Sequence, residues 1–287
     1  MNRYLTAAIG LAAVASLLTA CSASTGDAKS QPTASDSANA KTVEGLIKPG
    51  ELSVCIDPEY APLEYYANGS GGEIIGADAD SAKALAEHLG LKLRFEVVSF
   101  DGLIPGITTG RCDLQLGGLY MSKERLQVTD ATPFMQAGAA IIVNKKFEGK
   151  VTSVEDLCGL SVAAQSASSN SIKIHEVSDK CKADGKQPVK ITEYPQTAPT
   201  VLATINGKSD ALIETNVGAA YIASQNKDKL VVAPGIFEPD TTFGAFTKKG
   251  NPLLDSVATG LKELHDDGTL GKIMTKYELE PSIVDVF

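Results

Sequence analysis

Arg125 closes the stretch Gly117-Gly118-Leu119-Tyr120-Met121-Ser122-Lys123-Glu124-Arg125, the best-equipped place in this sequence to hold an anion. Its planar guanidinium fits a carboxylate fork to fork, a charge-assisted contact contributing about 1.5–3 kcal/mol. The paired glycines admit a ligand close to backbone N–H groups. Ser122 is placed to cap a helix start, where partial positive charge favours an anion. A second polar stretch, Ser166-Ala167-Ser168-Ser169-Asn170, offers hydroxyls and free N–H groups at the start of a long helical pattern. The two prolines of Asp57-Pro58-Glu59-Tyr60-Ala61-Pro62-Leu63 forbid a helix start and make a rigid loop. Tyr60 and Phe100 can turn ring faces to a ligand side chain. With no Trp and only eight Tyr and eight Phe in 287 residues, each such ring counts individually.

Catalysis is poorly served by comparison. His88, His175 and His265 fall in helical stretches away from these segments. Neither a Gly-x-Ser-x-Gly nucleophile turn nor a phosphate or dinucleotide loop occurs. The Asp78-x-Asp80 and Asp266-Asp267-Gly268 runs lack the other ligands of a twelve-residue calcium loop, and the cysteines lack the two-residue spacing of a zinc site. The expectation is a binding site with no catalytic residue, no metal and no cofactor. A net charge of −9 with no Lys/Arg cluster argues against a nucleic-acid partner.

The elements that must position these residues alternate along the chain. Residues 52–56 read as a strand, and Asp80 as the N-cap of a helix carrying Ala82, Leu85, Ala86 and Leu89 up to Gly90. Strands at 91–98 and 113–116 flank a short helix at 103–109, and another strand covers 139–143. A second series runs through strand 160–164, helix 169–181, strand 189–194 and helix 198–206. It continues with strand 211–214, helix 218–224 and strand 230–232. An apolar run at 243–247 and two helical patterns ending near Tyr277 complete the chain. This alternation predicts an α/β architecture of two lobes, each a mostly parallel sheet flanked by helices. Lobe 1 is expected to hold 46–143 and 242–287, and lobe 2 to hold 144–241, with two hinge crossings near 140–144 and 241–247. Ligands of open α/β sheets lie beyond the carboxyl ends of the strands. Segments 57–64, 99–101, 117–125, 164–170 and 214–216 all fall there.

Residues 1–20 place Arg3 ahead of an apolar core too short to span a bilayer, as an export signal does. The core ends in Leu18-Thr19-Ala20-Cys21, which resembles the bacterial lipobox and marks Cys21 for lipidation. Acyl chains contribute roughly 0.8 kcal/mol per buried methylene, enough to anchor the chain when several are attached. Residues 21–45 are polar and read as a flexible tether. Of the four remaining cysteines, Cys158 precedes a strand and Cys181 closes the helix that returns alongside it, so these two are expected to pair. Cys55 lies in an apolar strand, and its pairing with Cys112 stays open.

Together these segments resemble the family-3 solute-binding proteins of ABC importers, the polar amino acid type, over nearly all of 46–281. The motifs that carry the resemblance are Tyr60-Ala61-Pro62-Leu63, Gly76-x-Asp78-x-Asp80, Phe100-Asp101-Gly102-Leu103-Ile104-Pro105, Gly110-x-x-Asp113 and Ser122-x-x-Arg125. Downstream, Gly207-Lys208-Ser209-Asp210-Ala211 and Asp267-Gly268-Thr269 also fit. The resemblance implies a type-II periplasmic-binding-protein fold with hinged closure. It also implies that Arg125 holds an α-carboxylate, that Tyr60 and Phe100 pack on the ligand side chain, that Asp57 faces its distal group, and that Ser168 adds a hydrogen bond from lobe 2. Where the family has small hydroxyl residues, this chain has Gly117, Gly118 and Tyr120. The family's carboxylate for the α-ammonium falls on Thr215, and Glu214 beside it is expected, as a strand residue, to face away. Either the register slips by one, or the ammonium is held differently, or the ligand has none.

The expected function is therefore a monomeric, lipid-anchored receptor on the extracytoplasmic face of the cell membrane. It captures a small carboxylate-bearing solute, an amino acid or derivative, and delivers it to an ABC permease. Asp57, Glu59 and Glu64 point to a cationic partner. The alternative is an enzyme on the same fold, similar to cyclohexadienyl dehydratase, with Asp57, Glu59 or Glu214 as its acid or base.

Overall fold

A computed structural model describes residues 43–287; the export signal, Cys21 and most of the tether lie outside the described residues. Strand β1 (Glu51–Ile56) is buried along its whole length. It leads into a small antiparallel sheet of β2 (Glu59–Tyr60), β3 (Glu64–Tyr66) and β4 (Ile74–Ile75). Helix α1 (Ala77–His88) starts from Gly76, so Asp80 does not cap it as expected. The Asp80 carboxylate lies inside the first turn and accepts from Lys83, Lys276 and Tyr277 instead. Then follow β5 (Lys92–Val97), α2 (Leu103–Thr108), β6 (Leu114–Tyr120), α3 (Lys123–Val128) and β7 (Thr129–Ala137).

The second series begins with β8 (Ala139–Asn144), β9 (Ser161–Gln165), α4 (Ser169–Ala183) and β10 (Lys190–Tyr194). It continues through α5 (Thr197–Ile205), β11 (Ala211–Thr215), α6 (Asn216–Gln225) and β12 (Leu230–Ala233). The chain returns as β13 (Thr241–Lys248), α7 (Leu253–Asp266) and α8 (Thr269–Lys276).

One five-stranded sheet has the order β5-β1-β6-β13-β7 and the other β10-β9-β11-β8-β12. In each, three neighbours are parallel and the remaining pairings antiparallel. Two features depart from expectation. Strand β7 escapes a sequence reading because Pro133 argues against a strand; it is tolerated because β7 is an edge strand. Strand β8, expected in lobe 1, instead pairs with β11 and β12 in the second sheet. An apolar run announces a strand but carries no information about which sheet receives it. A Cβ at Gly138 would lie 2.5 Å from Pro239 Cα, so the two crossing segments run against each other.

Both faces of each sheet are covered, which is why the strands read as continuous apolar runs. Leu52, Phe134 and Phe243 pack under Leu85, Leu261 and Met274 of α1, α7 and α8, all fully buried. Leu103, Ile107 and Phe246 fill the opposite face. In lobe 2, Val162 and Ile213 meet Ile174 of α4, while Ile142 and Leu212 meet Ile222 of α6. Each such side chain contributes about 1.5–3 kcal/mol by leaving water.

The same polar device starts the central strand of both sheets. Asp113 accepts from Ser53 N at 2.8 Å, and Asp210 from Ser161 N at 2.8 Å, each carboxylate also taking the serine hydroxyl. Cys158 and Cys181 are bonded with Cα atoms 5.6 Å apart. Cys55 and Cys112 are bonded as well, at 5.5 Å, tying the end of β1 to the approach to β6. Among the described residues no helix is long and apolar enough to cross a membrane.

Candidate ligand-binding site

The carboxyl ends of β1 and β6 face those of β9 and β11 across one cavity. Of the residues expected to bind a ligand, Asp57, Tyr60, Phe100, Gly118, Tyr120 and Arg125 line it from lobe 1, and Ser168 and Thr215 from lobe 2. Gly117 does not. It and Gly118 take left-handed conformations (φ 75° and 59°) that interrupt β6, and at Gly117 a Cβ would run into the Asp78 carboxylate behind the wall. Its glycine is a packing requirement, which a sequence reading for ligand access misassigns.

Arg125 lies half-buried in the wall. Ser122 caps α3 beneath it, accepting from Arg125 N at 3.4 Å, and Nη1 donates to the Tyr120 carbonyl at 2.9 Å. Among the described residues no carboxylate comes within 4.0 Å of this guanidinium, whereas Arg94 and Arg111 both have acidic partners. Burial lowers the Arg125 pKa to about 10, so it remains charged at neutral pH. Tyr120 stacks on Phe243 with centroids 5.3 Å apart. Among the described residues Asn170 Oδ1 is buried without a hydrogen-bond partner, beside the Tyr120 hydroxyl, leaving an acceptor for a solute.

The rest of the wall is acidic. Asp57, Glu59, Glu64 and Glu214 all line the cavity. Burial, with Glu59 nearby, raises the Asp57 pKa to about 6. Burial raises Glu214 to about 7 against the opposing pull of the Thr215 N–H and the Tyr60 hydroxyl. Glu64 is pushed well above the usual carboxylate range by burial and by Asp78, and burial raises Asp78 likewise. Among the described residues Glu64 Oε2 and both Asp78 oxygens have no hydrogen-bond partner.

The ambiguity at 214–215 resolves at the end of β11. Thr215 is both the last residue of the strand and the N-cap of α6, and its Oγ1 accepts from Gly218 N at 3.0 Å. Strand alternation therefore stops at Glu214, which is 5% exposed and faces the cavity, contrary to expectation. Its Oε1 accepts from Thr215 N at 2.8 Å and from the Tyr60 hydroxyl at 3.2 Å. Ser168 lines the cavity, yet its hydroxyl donates to the Gln165 carbonyl and caps α4 by accepting from Ser171 N at 2.9 Å. Leu103 and Thr197 also line the cavity and lie outside the strand-end segments expected to meet a ligand. Thr197 follows the carboxyl end of β10, where the strand-end rule points. Leu103 follows Phe100 by one helical turn, and no chemistry marks it.

The arrangement can receive a small molecule with a carboxylate at Arg125 and positive charge opposite. Among the described residues no group of three or more His, Cys, Asp or Glu is placed to hold a metal. The chain is 26% identical over 243 residues to an arginine-binding protein of Corynebacterium glutamicum, covering 84% of this chain and 79% of that one. It is 25% identical over 240 residues to an L-cystine-binding protein of Escherichia coli, covering 82% and 86%. Among solved structures, an ancestral arginine-binding protein bound to arginine superposes with a TM-score of 0.71 at 30% identity, over 79% of this chain and 98% of that one. The fold is thus that of the type II periplasmic binding proteins. These relatives are named as binding proteins rather than enzymes, which sets aside the dehydratase alternative. Residues 52–280 match the family model for bacterial extracellular solute-binding proteins, family 3, and the chain belongs to that family.

Proposed function

We propose that this protein captures an L-α-amino acid with a cationic side chain, of the arginine type, and delivers it to an ABC importer. The observation that carries this reading is the charge pattern of one cavity. A guanidinium without an acidic partner among the described residues shares this cavity with four carboxyl groups, contributed by both lobes. Arg125 takes the α-carboxylate, Glu214 the α-ammonium, and Asp57 with Glu59 the distal cation, while Tyr60 and Phe100 sandwich the aliphatic stem. Gly118, Tyr120 and Asn170 complete the carboxylate end. Thr215 and Ser168 act through the helices they cap. The relatives named as arginine-binding support the choice of cation.

On this reading the mature protein is a monomer held by lipid on Cys21 at the outer face of the cell membrane. Support comes from the Leu18-Thr19-Ala20-Cys21 ending and the polar tether. Titration calorimetry with L-arginine, L-lysine, L-ornithine, L-glutamine, L-cystine and agmatine tests the ligand. L-Arginine is expected to bind at micromolar level, about −8 kcal/mol, and agmatine, which lacks the carboxylate, not at all. Preference for L-glutamine or L-cystine over every basic amino acid would overturn the cationic assignment.

A further inference from the structure

Tyr60 does more than furnish a ring to the wall. It projects from β2, and its hydroxyl crosses the cleft to Glu214 Oε1 and Thr215 Oγ1 of lobe 2. These side-chain hydrogen bonds run from lobe to lobe away from the crossing segments. The ring can reach so far because α6 has no side chain at Gly218. A Cβ there would lie 3.0 Å from Tyr60 Cε2 and 3.1 Å from its hydroxyl, closer than ordinary van der Waals contact. The receiving corner is already ordered, because Glu214 Oε1 holds the Thr215 N–H and Thr215 Oγ1 holds the Gly218 N–H.

We propose that Tyr60 is a positioning residue for closure: its hydroxyl, seated in the space Gly218 leaves, latches lobe 1 to lobe 2 and aims the Glu214 carboxylate at the solute's ammonium. The aiming of Glu214 rests on the cationic amino acid reading given above; the latch itself does not. A hydroxyl that bridges the lobes stabilises only the closed form, so it shifts the open–closed balance with or without solute. In the occupied protein its loss acts on escape, since the cleft must open for the solute to leave.

Tyr60→Phe keeps the ring and removes the hydroxyl, while Gly218→Ala fills the seat. Small-angle scattering without ligand and stopped-flow kinetics with L-arginine read the two consequences. Both variants are expected to show a larger ligand-free radius of gyration than wild type. Arginine dissociation should quicken about tenfold, the value of one ordinary hydrogen bond, with association within about twofold. A third readout separates aiming from mere packing. The titratable groups facing Glu214 are Tyr60 and Tyr120, with Asp57, Glu59, Glu64 and Arg125 around the rest of the cavity. Losing the Tyr60 donor raises the Glu214 pKa, so the midpoint of affinity against pH should move upward in Tyr60→Phe. Scattering and rates in both variants that match wild type would overturn the latch while leaving the ligand reading intact. Wild type that binds no basic amino acid, with variants that still open, would overturn the ligand reading and keep the latch.

Discussion

Replacing Arg125 with alanine separates binding from folding, and the structure sets both magnitudes. Burial lowers the guanidinium pKa to about 10. At about 1.36 kcal/mol per pH unit, the ligand-free fold carries a penalty of about 3 kcal/mol for holding that charge away from water. Set against it are one hydrogen bond to the Tyr120 carbonyl, worth about 1 kcal/mol, and some packing of the methylene stem. Arg125→Ala should therefore leave the ligand-free protein at least as stable as wild type, by up to about 2 kcal/mol. Binding goes the other way. A solute carboxylate left buried and unpaired costs about 3–5 kcal/mol, a loss of a hundredfold to several thousandfold in affinity. Urea unfolding of the ligand-free variant measures the first quantity, and titration calorimetry with L-arginine the second. A variant that still binds within threefold of wild type, or whose ligand-free form loses more than about 2 kcal/mol, would refute this division of labour.

Two further outcomes follow from the same structure. Between pH 4.5 and 7 folded Glu214 keeps a proton that the unfolded chain has released, so ligand-free stability falls as pH rises through that window. Arginine affinity rises over the same range because the cation binds the ionised form. Unfolding free energies from urea at pH 5 and 7.5 should differ by about 2 kcal/mol more in wild type than in Glu214→Gln; a profile unchanged by the substitution would contradict the assignment. The disulfides close loops with sequence separations of 57 and 23 residues, corresponding to about 4 and 3 kcal/mol in the chain-entropy account. Cys158→Ser with Cys181→Ser should thus lower unfolding stability by about 3 kcal/mol while arginine still binds, as calorimetry on the folded variant can check.

Much of this arrangement was legible in the residues. Buried parallel strands announce themselves as apolar runs, so 52–56, 160–164 and 211–214 located the sheet centres and, through the strand-end rule, most of the cavity. Arg125 was legible because few side chains in the chain can fork onto a carboxylate. Other features depend on information that local patterns do not hold. The partner of β8 is a tertiary choice, and Pro133 disguised an edge strand. Gly117 looked like an opening for a ligand, but what requires it is the Asp78 carboxylate behind the wall. Glu214 was assigned to the far face by alternation, a rule that lapses once Thr215 turns to cap α6. The acidity of the wall was visible as loop charges, yet only burial shows that Asp57, Glu64 and Glu214 bear on one cavity.

A crystal structure of the protein grown with L-arginine shows the binding mode outright. One arginine is expected between the lobes, its carboxylate on the Arg125 guanidinium, its ammonium on Glu214 and its guanidinium near Asp57 and Glu59. An arginine bound in the reverse direction, or held in the outer groove between Tyr65 and Tyr221 with the Arg125 side chain untouched, would contradict it.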